Sequence, residues 1–394
     1  MLLIKNIGTL FTGDDYIDDA AILVAGEKIF WAGPKGLCPK VSITKEIDAK
    51  NHAVIPGLVD CHSHLIFAGS RADEFALRME KDSYEAIMAK GGGIMSTVNA
   101  TRKASDEDLL KLASFRADEI LNNGVTTLEA KSGYGLSMKD ELRSLKLLKE
   151  LNDHHDLDIH PTFLGAHVVP KEYANDRAVY VSTVIDMISE VAKRNLAIDC
   201  DVFCEKGAFS FDESLKILSC AKDHGFGLRA HVQQLGESQG VKLLSHLPIK
   251  SISHADFLQG DDLAILAQSR TVVELLPFAC LFLRSAQVTP ARTLKDLGVT
   301  LAIATDFNPG SAMCHDLILA ARLSLSMFHL NIDDVLKAIT KNAGSALGKD
   351  VGVIKAQSAA DIVITNCQSI NEIFYDWTKS PIRKVIKHGR VIKG

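Results

Sequence analysis

Val54-Ile55-Pro56-Gly57-Leu58-Val59-Asp60-Cys61-His62-Ser63-His64 is an apolar run that ends in two histidines spaced two residues apart. Its apolar part, with its branched side chains, reads as a buried β-strand over 54–62. Successive side chains on a strand point to opposite faces, so residues two apart project together. His62 and His64 therefore leave the C-terminal end of the strand on one side, as a pair of imidazoles suited to a divalent metal. In a parallel barrel, active-site side chains sit at the C-terminal ends of the strands.

Working outward, seven further apolar, β-branched runs follow, over 125–130, 158–164, 198–203, 227–231, 251–254, 271–276 and 299–305. Helix-like sequence separates them. Ser105-Asp106-Glu107-Asp108 reads as a capping box, with apolar positions at Leu109, Leu112, Ala113, Ala117, Ile120 and Leu121 and a stop at Asn122-Asn123-Gly124. Asp212 and Asp333-Asp334 open two more helices. Eight strand–helix repeats predict an α/β fold, a (β/α)8 TIM-type barrel. A doubly wound open sheet is the alternative, but no Gly-x-Gly-x-x-Gly stands at a strand–helix turn. Both ends of the chain read as short strands and turns, among them Leu2–Ile7, Ala20–Val24, Ala360–Ile364 and a hairpin around His388-Gly389-Arg390. A small β-sandwich domain built from residues 1–53 and 350–394 is expected, with the barrel over 54–349.

The active site of such a barrel gathers at the strands' C-terminal ends. The fifth run ends in His231, the sixth in His254 and the eighth in Asp306. With His62 and His64 they supply imidazoles and a carboxylate at one mouth, a donor set for a catalytic rather than a closed structural metal site. The composition suits a globular enzyme, with 47% hydrophobic and 24% charged residues. A net charge of −5 with interleaved signs offers no polybasic surface for nucleic acid or membrane. The apolar start is too short for a signal peptide. Eight scattered cysteines without a Cys-x-x-Cys read as reduced thiols, which points to the cytoplasm.

The order Pro-Gly-Leu-Val-Asp-x-His-x-His, then His231, His254 and Asp306, resembles the amidohydrolase superfamily. Within it the chain is similar to the imidazolonepropionase family, through Phe67–Phe75, Ser83-Tyr84-Glu85, Gly91-Gly92-Gly93-Ile94, Glu129–Gly135, Phe163–His167 and Ala304–Ser311. The resemblance implies hydrolysis of the lactam C–N bond of 4-imidazolone-5-propanoate to N-formimidoyl-L-glutamate by a metal-activated water, in histidine degradation. It implies one divalent metal per subunit, Zn2+ or Fe, on His62, His64, His231 and Asp306. Asp306 would also move the proton, and His254 would orient the water. Arg71 would grip the propionate, with substrate contacts from Tyr84, Tyr134, His167, Asn308, Gly310 and Ser311. Tyr134, between two glycines, sits in what reads as a mobile closing loop. Some relatives place a glutamate three residues past His231. Here Gln234 stands there, so ring orientation replaces an acid role. Glu205 is the one candidate bridge for a second ion, since Lys131 lies on the second strand rather than the fourth. The small-molecule substrate is the expected partner, in a homodimer. A cytosine or guanine deaminase type of amidohydrolase and a non-catalytic scaffold are the competing readings.

Overall fold

The computed structural model describes residues 1–80 and 93–393. The eight expected runs form eight parallel strands, each hydrogen-bonded to the next in chain order. They are Leu58–Asp60, Val125–Lys131, Asp158–Ala166, Asp199–Cys204, Gly227–Val232, Ile249–His254, Val272–Leu275 and Leu301–Ile303, here numbered as barrel strands 1 to 8. Helices run between successive strands, and the longer ones bury an apolar stripe. On Asp106–Asn122 the stripe is Leu109, Ala113, Ala117 and Ile120, all buried, at the spacing of one helical face.

The barrel closes just past the ends of strands 1 and 8. Asp306 N–H donates to His62 C=O at 3.0 Å and His64 N–H donates to Phe307 C=O at 2.9 Å. The Asp60 carboxylate braces the same seam, accepting from Thr305 N–H at 3.1 Å and from Thr305 Oγ1 at 2.6 Å. Two candidate metal-binding segments are thus joined by main-chain bonds.

The run 54–62 is not one strand. It breaks at Gly57, and Val54–Pro56 belongs to the other sheet, where Ile55 faces Val363 in antiparallel register. The chain passes so close to barrel strand 2 that a Cβ at Gly57 would lie 2.2 Å from Thr126 Oγ1. Both pieces are wholly buried, so no change of period marks the break.

The second sheet also has eight strands and joins the two ends of the chain. Leu2–Phe11, Tyr16–Ala25, Lys28–Pro34 and Lys45–Asp48 come from the N-terminal side, and Ile362–Thr365, Ile382–Lys387 and Arg390–Lys393 from the C-terminal side. It folds back on itself. Ala360 N–H donates to Glu27 C=O at 2.8 Å and Ile29 N–H donates to Ser358 C=O at 2.9 Å. Ile4, Ile22, Ile362 and Ile386 share the core between its layers. Buried Lys387 ties this sheet to the barrel, with Nζ 2.6 Å from Asp361 and 2.7 Å from Asp158.

Helix starts lie one or two residues before the acids that signal them. Ser210 forms a capping box with Glu213, and Asn331 forms one with Asp334. Acids in the first turn complement the helix dipole, whereas a Ser or Asn oxygen caps it. At Ser105 only half of the expected box forms, the hydroxyl accepting from Asp108 N–H. All eight cysteines are unpaired. No helix among the described residues is long and apolar enough to cross a membrane.

Candidate metal centre and active site

His62, His64 and His231 converge above the barrel core, each offering a ring nitrogen within 4.8 Å of the others. All three are buried. The Nε2 atoms of His62 and His231 are buried and have no hydrogen-bond partner. Such nitrogens are costly to bury unless something accepts their lone pairs. Asp306 Oδ1 stands 3.5 Å from the Nε2 of both His62 and His64. Three imidazoles and one carboxylate facing a common point fit a divalent ion.

The other ring nitrogens explain why these point inward. His62 Nδ1 lies 3.0 Å from Glu274 and 2.8 Å from Ser253 Oγ. His231 Nδ1 lies 3.1 Å from Asp201. A carboxylate on Nδ1 keeps the proton there and frees Nε2 as the donor. Burial holds the His64 pKa down to about 4 and lowers that of His231, so these imidazoles are neutral at neutral pH. For His62, burial and Lys131 push the same way, but the neighbouring Asp306 and Glu274 carboxylates outweigh them and raise it. Burial opposes ionisation of Asp306, yet the His62 and His64 imidazoles beside it hold its pKa well below the usual carboxylate range.

His254 is not one of the converging ligands. Its ring centroid lies 5.6 Å from that of His231 and 6.2 Å from that of His62, at the rim. Burial keeps it neutral, with a pKa well below the usual value. Both His254 and Asp306 adopt the left-handed backbone region, at φ 69° and 52°. Non-glycine residues held there carry strain, which collects at functional sites.

Above the donors lies a cleft of about 150 Å³, smaller than the ~300–1,000 Å³ of drug-sized ligand pockets and suited to a small metabolite. It is lined by Arg71, Tyr134, His167, Gln234, Asn308, Gly310 and Ser311, together with His254 and Asp306. Tyr84 lies outside the described residues. Arg71 is half-buried and pairs with Glu74 through Nε at 2.9 Å and Nη2 at 2.8 Å. Its Nη1 is turned toward Gly310, whose missing Cβ would otherwise sit 2.2 Å from it. The loop 308–311 is self-braced, as Asn308 Oδ1 accepts from Gly310 N–H and Ser311 N–H, both at 2.8 Å. His167 stacks on His64 with centroids 5.4 Å apart. A wider basin on the outer surface, about 680 Å³, holds none of the donors. Its Arg102 and Arg143 already pair with Glu172 and Asp106.

One expectation needs correction, and one candidate is otherwise engaged. The loop carrying Tyr134 is not free: the Glu141 carboxylate accepts from Gly133, Gly135 and Leu136 N–H at 2.8–3.0 Å, and Tyr134 is buried beside His64 and His167. Glu205 is not poised to bridge two ions. Its oxygens accept from the backbone N–H groups of Lys206, Gln234 and Leu235. Sequence reasoning also missed Glu274, Asp201 and Arg229. The one signal they carry is a charge inside an apolar strand, rare unless the charge is paired.

A metal donor set at the C-terminal mouth of a (β/α)8 barrel defines a metal-dependent hydrolase of the amidohydrolase class, and residues 53–392 match the Amidohydrolase family. The chain is 39% identical to imidazolonepropionase of Shewanella piezotolerans and to that of Shewanella oneidensis, each over 95% of this chain and 93% of the relative. It therefore belongs to the amidohydrolase family and, within it, to the imidazolonepropionase family. Two solved structures share the fold across the whole chain at 17% identity. One is atrazine chlorohydrolase from Arthrobacter aurescens complexed with zinc, at TM-score 0.75 over 95% of that chain. The other is an adenosine deaminase from Xanthomonas campestris with bound zinc, at 0.76 over 92%.

Proposed function

We propose that this protein opens the ring of 4-imidazolone-5-propanoate by hydrolysing its lactam C–N bond, giving N-formimidoyl-L-glutamate in histidine degradation. The carrying observation is the converging His62–His64–His231 set beside Asp306, at the floor of a cleft walled by Arg71. One divalent ion per subunit, zinc or iron, would be held by those four residues. When bound, such an ion lowers the pKa of water toward neutrality and polarises a carbonyl oxygen.

The chain's own residues then divide the work. Asp306, anionic at neutral pH, accepts a proton from the attacking water and delivers it to the ring nitrogen that leaves. His254, neutral and at the rim, orients the water or hydrogen-bonds the developing oxyanion. Arg71 binds the propionate. Glu74 takes its Nε and Nη2 edge and so fixes the guanidinium with Nη1 toward the cleft, where two parallel hydrogen bonds suit a carboxylate. Tyr134 and His167 form a rigid wall on one side, and Gln234 presents an amide that orients the ring without moving a proton. The net change is addition of one water across the C–N bond, with no second product.

The test is loss of imidazolone-propanoate absorbance with and without a chelator, alongside elemental analysis. Turnover that stops on chelation and returns with zinc or iron supports the reading. Ammonia release from a pyrimidine or purine base instead would make the chain a deaminase. Absence of both metal and hydrolysis would make it a scaffold. The eight unpaired thiols fit the cytoplasm as the compartment, and the assembly proposed on family grounds is a homodimer, which light scattering checks.

A further inference from the structure

Beneath the metal donors lies a buried lysine that the reaction does not use. Lys131, at the end of barrel strand 2, is fully buried, with Nζ 2.8 Å from Glu129 Oε1 and 2.8 Å from Asp201 Oδ2. Each of these carboxylates spends its other oxygen on the metal centre. Asp201 Oδ1 bonds His231 Nδ1 at 3.1 Å. Glu129 Oε2 accepts from Ser63 N–H at 3.1 Å, and Ser63 is the residue between His62 and His64. Ser63 is held twice more from the same strand: its C=O accepts from Lys131 N–H at 2.9 Å and its Oγ donates to Glu129 C=O at 2.5 Å. One ammonium therefore stands at the junction of two arms. One reaches His231 on strand 5, and the other fixes the peptide that spaces the His-x-His pair.

We propose that Lys131 is a positioning residue of the metal centre, whose charge holds Asp201 and Glu129 where they orient His231 and space His62 from His64. Two carboxylates side by side in a dry interior repel unless a cation lies between them. Without it Asp201 would swing away from Glu129, and His231 would lose the acceptor at 3.1 Å that orients its ring and leaves its Nε2 free. The inference rests on the proposed metal site but not on the substrate assignment.

The experiment measures zinc affinity of the purified full-length protein by competition with a chromophoric chelator. Visible spectra of the cobalt-loaded forms and melting of the metal-free forms accompany it. Lys131→Met keeps length and removes the charge. Its zinc affinity is expected to fall about 10- to 100-fold, the usual cost of losing an outer partner of a metal ligand, with an altered cobalt spectrum. Asp201→Asn and Glu129→Gln should each weaken zinc, and Lys131→Met added to that pair should weaken it less than threefold further. A purely structural lysine would lower the melting temperature of the metal-free protein and leave zinc affinity and the cobalt spectrum alone; that result overturns the proposal. Should Lys131→Met fail to fold, the two near-isosteric amide variants decide. Weakened zinc binding in both supports the two arms, and wild-type affinity in both refutes them. A wild-type protein that binds neither zinc nor iron refutes the metal reading and this inference with it, whereas a metal-binding wild type with unchanged variants refutes only the inference.

Discussion

Gly310→Ala probes whether Arg71 sets specificity. A Cβ at residue 310 would lie 2.2 Å from Arg71 Nη1, 3.1 Å from its Cζ and 3.3 Å from Asn308 Oδ1, whereas ordinary contact begins at 3.4 Å. The guanidinium must retreat by the difference between 2.2 and 3.4 Å, roughly 1 Å. The atom met is the far end of a flexible side chain, so the fold adjusts at little cost, and melting should shift by no more than about 2 °C. Catalysis has less tolerance: a misplacement of about 1 Å can cost about 100-fold. An upper bound comes from losing the charged hydrogen bonds altogether, at about 1.5–3 kcal/mol or about 10- to 150-fold. Steady-state kinetics should therefore show kcat/KM down by between 10- and 100-fold, mostly through KM, with metal content unchanged. In an Arg71→Ala background the same glycine change should do almost nothing, because the displaced group is gone. A substrate analogue bearing a carboxamide in place of the propionate should also be insensitive. Gly310→Ala with kcat/KM within twofold of wild type would refute the placement of Arg71 at the carboxylate.

Asp306→Asn keeps the shape of the carboxylate and removes its basicity. Turnover should fall by at least about 100-fold, and a metal-loaded variant that retained substantial activity would remove Asp306 as the base. In the metal-free protein His64 should make a destabilising contribution on acidification. His64 falls from an ordinary 6.5 to about 4 through burial, so the unfolded chain binds the extra proton first. Stability is full above about pH 6.5 and declines toward pH 4, by up to about 3 kcal/mol for this residue at about 1.36 kcal/mol per pH unit. Thermal melts at pH 7.5 and 5 in a chelator should show this, and an equal decline in His64→Asn would contradict it. Glu141→Gln replaces an acceptor of three backbone N–H groups with a half-donor. It should cost about 2–4 kcal/mol in denaturant melts and lower kcat by freeing the Tyr134 loop, so an unchanged melt would show the loop is held by other contacts.

His62, His64, His231, His254 and Asp306 were legible because each sits at a strand's C-terminal end, where alternation and barrel topology both say which way it points. Arg229, Asp201 and Glu274 were not, because they lie within the strands and their partners are spatial. Arg229 reaches the carboxylate of Glu274 and the carbonyl of Cys61, contacts that no spacing in a single chain encodes. The break at Gly57 was hidden for a different reason. Residues on both sides of it are buried in different sheets, so apolar character runs through without interruption. At Tyr134 the flanking glycines signalled freedom, and Gly133 does use it at φ 110°. That freedom shapes the backbone around the Glu141 carboxylate.

The seam where strands 1 and 8 meet has a consequence for how the cylinder opens and shuts. His62 and His64 lie on one lip and Asp306 on the other, nearly 250 residues later in the chain. An ion gripping both lips acts as a clasp on a longitudinal joint, and joining such distant segments is the slow, entropy-limited part of building the fold. The amide protons of His64 and Asp306, which bond across the joint, are then local gauges of the clasp. Hydrogen exchange there should slow on metal loading while the far wall of the cylinder, between strands 4 and 5, barely changes.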